Sequence, residues 1–263
     1  MKDGDFLNIS IDAAITASHI ILEDLPKVKD PEYKGKIDLV TKTDLASEKV
    51  IKSIILNQFP DHSILAEEGG QNHSESDYLW IIDPLDGTTN FVHGTPPFSV
   101  SIALYKKMVP ILGLVLELPN LKLYTALRGQ GAYCEGLPIS SSSTASLSKS
   151  LLATGFSYNH DNLWEYNMNI FKELTRASQG VRRFGSAAID LCYVAEGKFD
   201  GFWEFSLKPW DTAAGLLIAK EAGCVISKVN GGSYKISDSS ILVTNKKINY
   251  EMIQFISNVK TVS

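Results

Sequence analysis

"WIIDPLDGTTNF" spans residues 80–91. Apolar Trp80, Ile81 and Ile82 lead directly into two acids, Asp83 and Asp86, followed by Gly87, Thr88 and Thr89. A short apolar run bounded by turn residues predicts a buried strand. This stretch therefore delivers two carboxylates to a tight turn. A second expected strand, "HSILAEE" (62–68), ends in Glu67 and Glu68. If the two strands are neighbours, up to four acids gather at one sheet edge. Ionised carboxylates that close repel one another in a partly buried site. Divalent cations would neutralise them. Mg²⁺ prefers oxygen ligands and often shares its shell with a phosphate. Two such ions a few ångströms apart clamp both the attacking and the leaving oxygen of a phosphoryl displacement. Asp83 is placed to bridge two ions, and the Leu85 carbonyl to face the metal.

Gly87 marks a point where the backbone comes close to another group. Thr88 and Thr89 suit a helix start, whose free N–H groups would point at an anion. The stretch thus reads as carboxylates for metal followed by amides for phosphate. Taken alone, D-x-x-D-G is equally an ordinary capped turn. An EF-hand is excluded, because the ligand spacing and the closing acid are missing. An aspartyl-nucleophile motif of the form D-x-D-G-T would place its first acid on Pro84.

Three further acids carry two readings each. Asp211, in "LKPWDTAAGLLIAK", opens an expected helix and by itself is an N-cap. Asp44 stands three residues after Thr41, as in a capping box. Glu204, in "GFWEF", follows an aromatic-rich strand and alone would be a solvated or paired acid. Arg182 and Arg183 either support the site, bridge acids, meet a second subunit or form an ordinary surface pair. "GFSYNHD" (155–161) is expected near the site's edge, without an assigned role.

The rest of the chain frames this centre. Residues 5–25 predict an amphipathic helix with Leu7, Ile11, Ala14, Ile15 and Ile21 on one face. A polar loop, "KVKDPEYKGKID", precedes a second helix, "TKTDLASEKVIKSIILNQFP", striped by Val50, Ile51, Ile54 and Ile55. "FSVSIALYKK" and "MVPILGLVLELP" pair as long strands, and a hairpin turns at Gly129–Gly131. "SSSSTASLS" (140–148) is the best linker candidate. After it strand and helix alternate: strands at 150–156, 198–205, 224–229 and 241–245, helices at 164–179, 186–197, 210–223 and 249–259. The pattern predicts an α+β first part, residues 1–143, carrying most of the acids. An α/β second part, residues 144–263, carries Asp211, and the two pack as layers.

Of the 263 residues, 44% are hydrophobic and 21% charged, an ordinary globular composition. The net charge of −5, with no basic block beyond a pair, argues against a nucleic-acid surface. Cys134, Cys192 and Cys224 are far apart and odd in number, which points to free buried thiols in a reducing cytoplasm. The N-terminus has acids where a signal peptide would be basic. No apolar run was expected to approach the ~20 residues of a membrane span.

Taken together, "DLVTKTD", "ILAEEGG", "WIIDPLDGTTNFVHG", "GAYCEG", "RRFGSAAIDLCYVAEGKFDGFWE" and "LKPWDTAAG" resemble the inositol monophosphatase family of lithium-sensitive, Mg²⁺-dependent phosphatases. They stand in the family's order over about residues 38–225. The resemblance implies a layered α-β-α-β-α sandwich of the inositol monophosphatase and fructose-1,6-bisphosphatase type. It implies two or three Mg²⁺ ions, with Glu67, Asp83, the Leu85 carbonyl, Asp86 and Asp211 as ligands. Thr88, linked to Asp44, and Glu67 would activate the attacking water. The amides of Gly87 and Thr88 would hold phosphate. Gly185, Ser186, Ala187, Glu204 and again Asp86 would hold the polyol. The implied reaction is hydrolysis of inositol 1-phosphate by metal-activated water, with no covalent intermediate. Fructose 1,6-bisphosphate, histidinol phosphate and phosphoadenosine phosphate are alternative substrates. A regulatory binding protein of a transcription complex on the same fold is the alternative of a different class. The resemblance further implies a cytoplasmic homodimer acting on a small phosphorylated polyol or sugar.

Overall fold

The computed structural model of the chain describes residues 3–27, 30–34, 39–72 and 76–260. Parts of the expected polar loop, residues 28, 29 and 35–38, lie outside the described residues. The first half contains helices α1 (Asp3–Asp24), α2 (Lys42–Gln58) and α3 (Thr88–Val92). Its strands are β1 (Glu32–Tyr33), β2 (Leu39–Val40), β3 (Ser63–Ala66), β4 (Gly70–Asn72), β5 (Tyr78–Asp86), β6 (Phe98–Lys106), β7 (Val109–Leu118), β8 (Lys122–Leu127), β9 (Ala132–Cys134) and β10 (Leu137–Ile139). The second half contains β11 (Leu151–Thr154), β12 (Gly180–Arg182), β13 (Gly201–Phe205), β14 (Val225–Ser227) and β15 (Ser240–Thr244). Its helices are α4 (Asn162–Ala177), α5 (Ala187–Ala195), α6 (Pro209–Glu221) and α7 (Asn249–Ser257).

Strands β3 to β10 form an eight-stranded sheet in the order β10-β9-β8-β7-β6-β5-β3-β4, and β11 to β15 a five-stranded sheet in the order β12-β11-β13-β15-β14. The two-residue period of a strand sends alternate side chains to opposite faces. On the large sheet Trp80, Ile82, Val100, Ile102, Leu112 and Leu114 pack with α1 and α2. Ile81, Ala103, Val115 and Tyr124 face the other way, onto α5 and α6. On the small sheet Phe202 and Val243 turn towards α5 and α6. Trp203 and Leu242 turn towards α4 and α7. The layers are therefore α-β-α-β-α, as the sequence implied, with α5 and α6 buried in the middle. Their residues are correspondingly small and apolar: Gly215 of α6 meets Leu191 of α5, and Gly113 of β7 meets the Ala214 backbone.

Three local readings change. The buried face of α1 is centred on Phe6, Ala13, Ala17 and Ile21, while Leu7, Ile11 and Ile15 are only partly buried. Small alanines there let α1 lie close to α2. By length and composition alone, Gly4–Asp24 is also apolar enough to cross a membrane, contrary to expectation. Here its apolar face is covered by α2 and the large sheet. The 140–148 stretch is stitched into the second half rather than acting as a free linker. The Ser142 hydroxyl donates to Asp200 at 2.5 Å, Asn245 donates to Ser142 at 2.7 Å, and Leu147 is buried.

Candidate active site

Strands β3 and β5 are parallel neighbours, with Ala66 opposite Ile82. The Glu67 amide donates to the Ile82 carbonyl at 3.2 Å, which brings Glu67 beside Asp83. The two acids of β5 are three residues apart and should point to opposite faces of a regular strand. A bulge corrects this. Asp83 pairs with Ser101 and Asp86 with Ser99, so three steps on β5 match two on β6. The inserted residue restores the shared face. Pro84 sits in this irregularity, where a missing N–H costs no ladder bond. Its carbonyl accepts from Ser47 of α2 at 2.7 Å. Leu85 turns its side chain into the outer core as a result.

Gly87 follows with φ of 90°. A Cβ there would stand 3.2 Å from the Gly185 carbonyl and 3.3 Å from Pro97 and Phe98. Only glycine satisfies both the left-handed backbone and this contact. The expected helix after it is a single turn, α3. Its first amides lack intrahelical acceptors, so an anion would meet individual N–H groups rather than a long helix dipole. The Thr88 hydroxyl donates to Asp44 at 2.9 Å and lies 3.2 Å from the Leu85 carbonyl. Asp44 is fully buried and also closes the capping box of α2, accepting from the Thr41 amide and hydroxyl. Both readings of Asp44 thus describe one carboxylate.

The middle-layer helices complete the site, because α5 and α6 both begin at the acids of β5. Asp86 accepts from the Ser186 hydroxyl at 2.6 Å and the Ala188 amide at 2.9 Å, so it caps α5 from the other half of the chain. Asp211 lies in the first turn of α6 and accepts from the Lys208 amide at 2.7 Å. Acids are favoured at such helix starts. The resulting cavity, about 120 Å³, is lined by Glu67, Asp83, Leu85, Asp86, Gly87 and Thr88 on one side. Gly185, Ser186, Ala187, Glu204 and Asp211 line the other. Of the residues expected to hold metal, phosphate or polyol or to activate water, Asp44 alone stands behind the wall, touching the cavity through Thr88. Glu68 does not line it, so the fourth acid beside Glu67, Asp83 and Asp86 is Asp211.

The electrostatics follow from crowding. Burial, with the charges of Glu67, Asp86 and Asp211, holds the Asp83 carboxyl well above its ordinary range. Burial lifts Asp211 to about 8, with Asp86 and Glu67 adding to it and the Lys208 amide opposing. Burial lifts Asp86 to about 6 against the Ser186 and Ala188 bonds. Burial likewise raises Glu204, with Asp211 contributing. Such a cluster requires protons or cations. Among the described residues no three His, Cys, Asp or Glu side chains already close around one point as a metal shell. Glu67, Asp83, Asp86 and Asp211 instead each rest on an internal donor. Asp83 accepts from the Leu85 amide at 3.1 Å, and Glu67 from Lys34 at 2.8 Å. The donor set still fits a hard divalent ion: it is all oxygen, anionic and crowded enough to hold protons without one.

Sequence reasoning missed Lys34 and Asp190, and gave "GFSYNHD" a place at the site's edge without a role. Lys34, from the loop between β1 and β2, bridges Glu67 and Glu68. Phe156 and Tyr158 of "GFSYNHD" line the cavity together with Arg183 and Asp190. Tyr158 reaches across to Thr89 at 3.4 Å. No spacing in the sequence marks Lys34 or Asp190, because their neighbours in the site come from distant parts of the chain. The three cysteines are free and buried, as expected.

A model of the inositol monophosphatase family matches residues 3–260. The chain is 45% identical over 252 residues to "Phosphatase IMPL1, chloroplastic" of Arabidopsis thaliana, covering 93% of this chain and 68% of the relative. It is 41% identical over 249 residues to "Nus factor SuhB" of Pseudomonas aeruginosa, covering 92% of each. The solved inositol monophosphatase of Anabaena (Nostoc) superposes with a TM-score of 0.89 at 40% identity, over 98% of each chain. With the layered fold and the site assembled from both halves, these matches show that the chain belongs to the inositol monophosphatase family and is a phosphoric monoester hydrolase.

Proposed function

We propose that this protein hydrolyses inositol 1-phosphate to inositol and phosphate in a Mg²⁺-dependent reaction without a covalent intermediate. The observation that carries this is the convergence on one cavity of Glu67, Asp83, Asp86 and Asp211 with the Gly87–Thr88 amides and Glu204. Glu67, Asp83, the Leu85 carbonyl, Asp86 and Asp211 would hold two or three Mg²⁺ ions. Bound there, the ions supply Lewis-acid stabilisation of phosphoryl charge and acidify water. Thr88 orients the attacking water, and Asp44 holds the Thr88 hydroxyl in place and takes up its proton's hydrogen bond. Glu67 faces the same water from the turn just after β3. The Gly87 and Thr88 amides bind the phosphate oxygens. Glu204 and the Gly185–Ala187 backbone bind the polyol. The Ser186 hydroxyl is already committed to Asp86, so its part is to orient that carboxylate.

The test is phosphate release at neutral pH, with and without Mg²⁺ and Li⁺. The substrates are inositol 1-phosphate, fructose 1,6-bisphosphate, histidinol phosphate and phosphoadenosine phosphate. Mg²⁺-dependent release led by inositol 1-phosphate is expected. Release led by another ester would keep the phosphatase and overturn the polyol.

A second reading is a regulatory binding protein of a transcription complex, favoured by the likeness to a relative named Nus factor SuhB. No release from any ester, with retention of a polymerase subunit on the purified chain, would favour it. We further read residues 1–143 and 144–263 as two subdomains of a cytoplasmic homodimer, the dimer being checked by light scattering.

A further inference from the structure

Helix α2 meets both acid-bearing turns with one face. Asp44, Ser47 and Glu48 stand at i, i+3 and i+4, so their side chains are neighbours on the helix, and all three are buried. Asp44 holds the Thr88 hydroxyl. One turn further on, Ser47 Oγ donates to the Pro84 carbonyl at 2.7 Å. Glu48 Oε2 accepts from the Glu68 amide at 2.8 Å, while Oε1 pairs with Lys52 at 3.3 Å. An ordinary i,i+4 pair would lie in solvent; here the Glu48 carboxylate gives its second oxygen to the turn after β3. The approach is close, since a Cβ on Gly69 would stand 2.5 Å from Glu48 Oε1.

Ser47 and Glu48 grip the peptide groups next to the acids read above as metal ligands. The Pro84 carbonyl and the Leu85 N–H belong to one peptide group. That N–H donates to Asp83 Oδ1 at 3.1 Å and is the one donor Asp83 has among the described residues. A planar peptide cannot turn its N–H without turning its carbonyl. Ser47 therefore fixes the direction from which Asp83 is held. Glu67 is tied on both sides: its own amide donates to the Ile82 carbonyl at 3.2 Å, and the next amide donates to Glu48. Both acids lie where the strand ladder gives out. Pairing of β3 with β5 ends at Ala66 and Ile82, and the β5–β6 register breaks between Asp83 and Asp86. The sheet leaves these peptide groups to α2.

We propose that Ser47 and Glu48 are positioning residues, which hold the peptide groups beside Asp83 and Glu67 so that the two carboxylates are preset to take up a divalent cation. The inference rests on the Mg²⁺ reading above and adds to it the groups that orient two of its ligands. Partners that orient metal ligands are commonly worth 10- to 100-fold in metal affinity or activity.

The experiment titrates Mg²⁺ into the whole chain, without substrate, by calorimetry, beside melting curves of the same samples. Ser47→Ala and Glu48→Ala are each expected to raise the Kd for Mg²⁺ about tenfold. Ser47→Thr keeps the hydroxyl and Glu48→Gln keeps an acceptor oxygen, so both should recover most of the affinity. Ser10→Ala is the control for stability: it removes another buried serine-to-carbonyl bond, 2.9 Å long, within α1, and should lower the melting temperature while leaving the Kd unchanged. Alanine variants at 47 and 48 that melt lower yet bind Mg²⁺ as wild type does would mean bonds that merely hold the fold, and overturn the proposal. Glu48→Gln binding as weakly as Glu48→Ala would trace the effect to charge and overturn the part given to Glu48. Should an alanine variant fail to fold, Ser47→Cys and Glu48→Met, of similar shape but poor in donor or acceptor capacity, are read in its place by the same criterion. If wild type itself takes up no Mg²⁺, the metal reading fails and the proposal with it. If wild type binds Mg²⁺ and the variants bind it equally well, the proposal alone fails.

Discussion

The Thr88 hydroxyl donates to Asp44 at 2.9 Å, across 44 residues of sequence. One carboxylate thereby caps the start of α2 and orients the first hydroxyl of α3. Thr88→Ala is expected to lower kcat about 100-fold, the usual scale for a positioned acid–base group, with little change in KM. Asp44→Asn should behave alike. Because the two act as one unit, the double variant should be scarcely worse than either single one. Additive losses in steady-state kinetics would show that they act independently.

Asp83→Asn removes the most crowded charge of the cavity. Phosphate release should become undetectable while the fold survives. The metal-free melting temperature should stay level or rise, since a repelling buried charge is gone. The rise in melting temperature that Mg²⁺ gives wild type should shrink, because binding to the native state alone is what stabilises it. An active Asp83→Asn enzyme would remove the metal reading.

The pH dependence of the metal-free chain has a definite sign. Asp86 and Asp211 have folded-state values of about 6 and 8, above the ordinary 3.8. Between about pH 4 and pH 8 the folded state holds more protons than the unfolded one, so stability falls as pH rises through this window. Mg²⁺ should reverse the trend, since its binding displaces those protons and strengthens with pH. Melting curves from pH 4 to 9, with and without Mg²⁺, check both slopes. A metal-free protein that gains stability over this window would contradict the crowding.

Gly155 abuts the Glu204 carboxylate so closely that a Cβ would collide with it. Its carbonyl is held by Asn167 at 2.7 Å, which leaves the backbone little room to retreat. Gly155→Ala should displace Glu204, raise KM for inositol 1-phosphate about tenfold and cost about 1–3 kcal/mol of stability. Kinetics beside a urea titration separate the two effects. An unchanged KM would place Glu204 outside the polyol contact.

Much of this was legible in the sequence because it depends on local rules. Periodicity placed the helices and long strands. Thr41 and Asp44 announced a capping box that is present. Gly87 announced a close approach, and the glycines at 129–131 announced a hairpin. The ordered motifs identified the family and, through it, the layered fold. The single-turn length of α3 was not legible, nor was the rotation of α1's buried face, because packing rather than propensity decides both.

By itself, then, the sequence determined which residue types are supplied and in what local conformation: acids after strands, a glycine in a left-handed turn, acids in the first turns of α5 and α6. Only the tertiary structure decided which of them meet. The bulge at Pro84 gives Asp83 and Asp86 a shared face. Layer packing sets the starts of α5 and α6 against them and excludes Glu68 in favour of Asp211. Burial leaves Oδ1 of Asp190 without a hydrogen-bond partner among the described residues. Those outcomes depend on contacts between residues far apart in the chain, whose cost and gain are set by desolvation and charge at a common point, and no local pattern encodes that point.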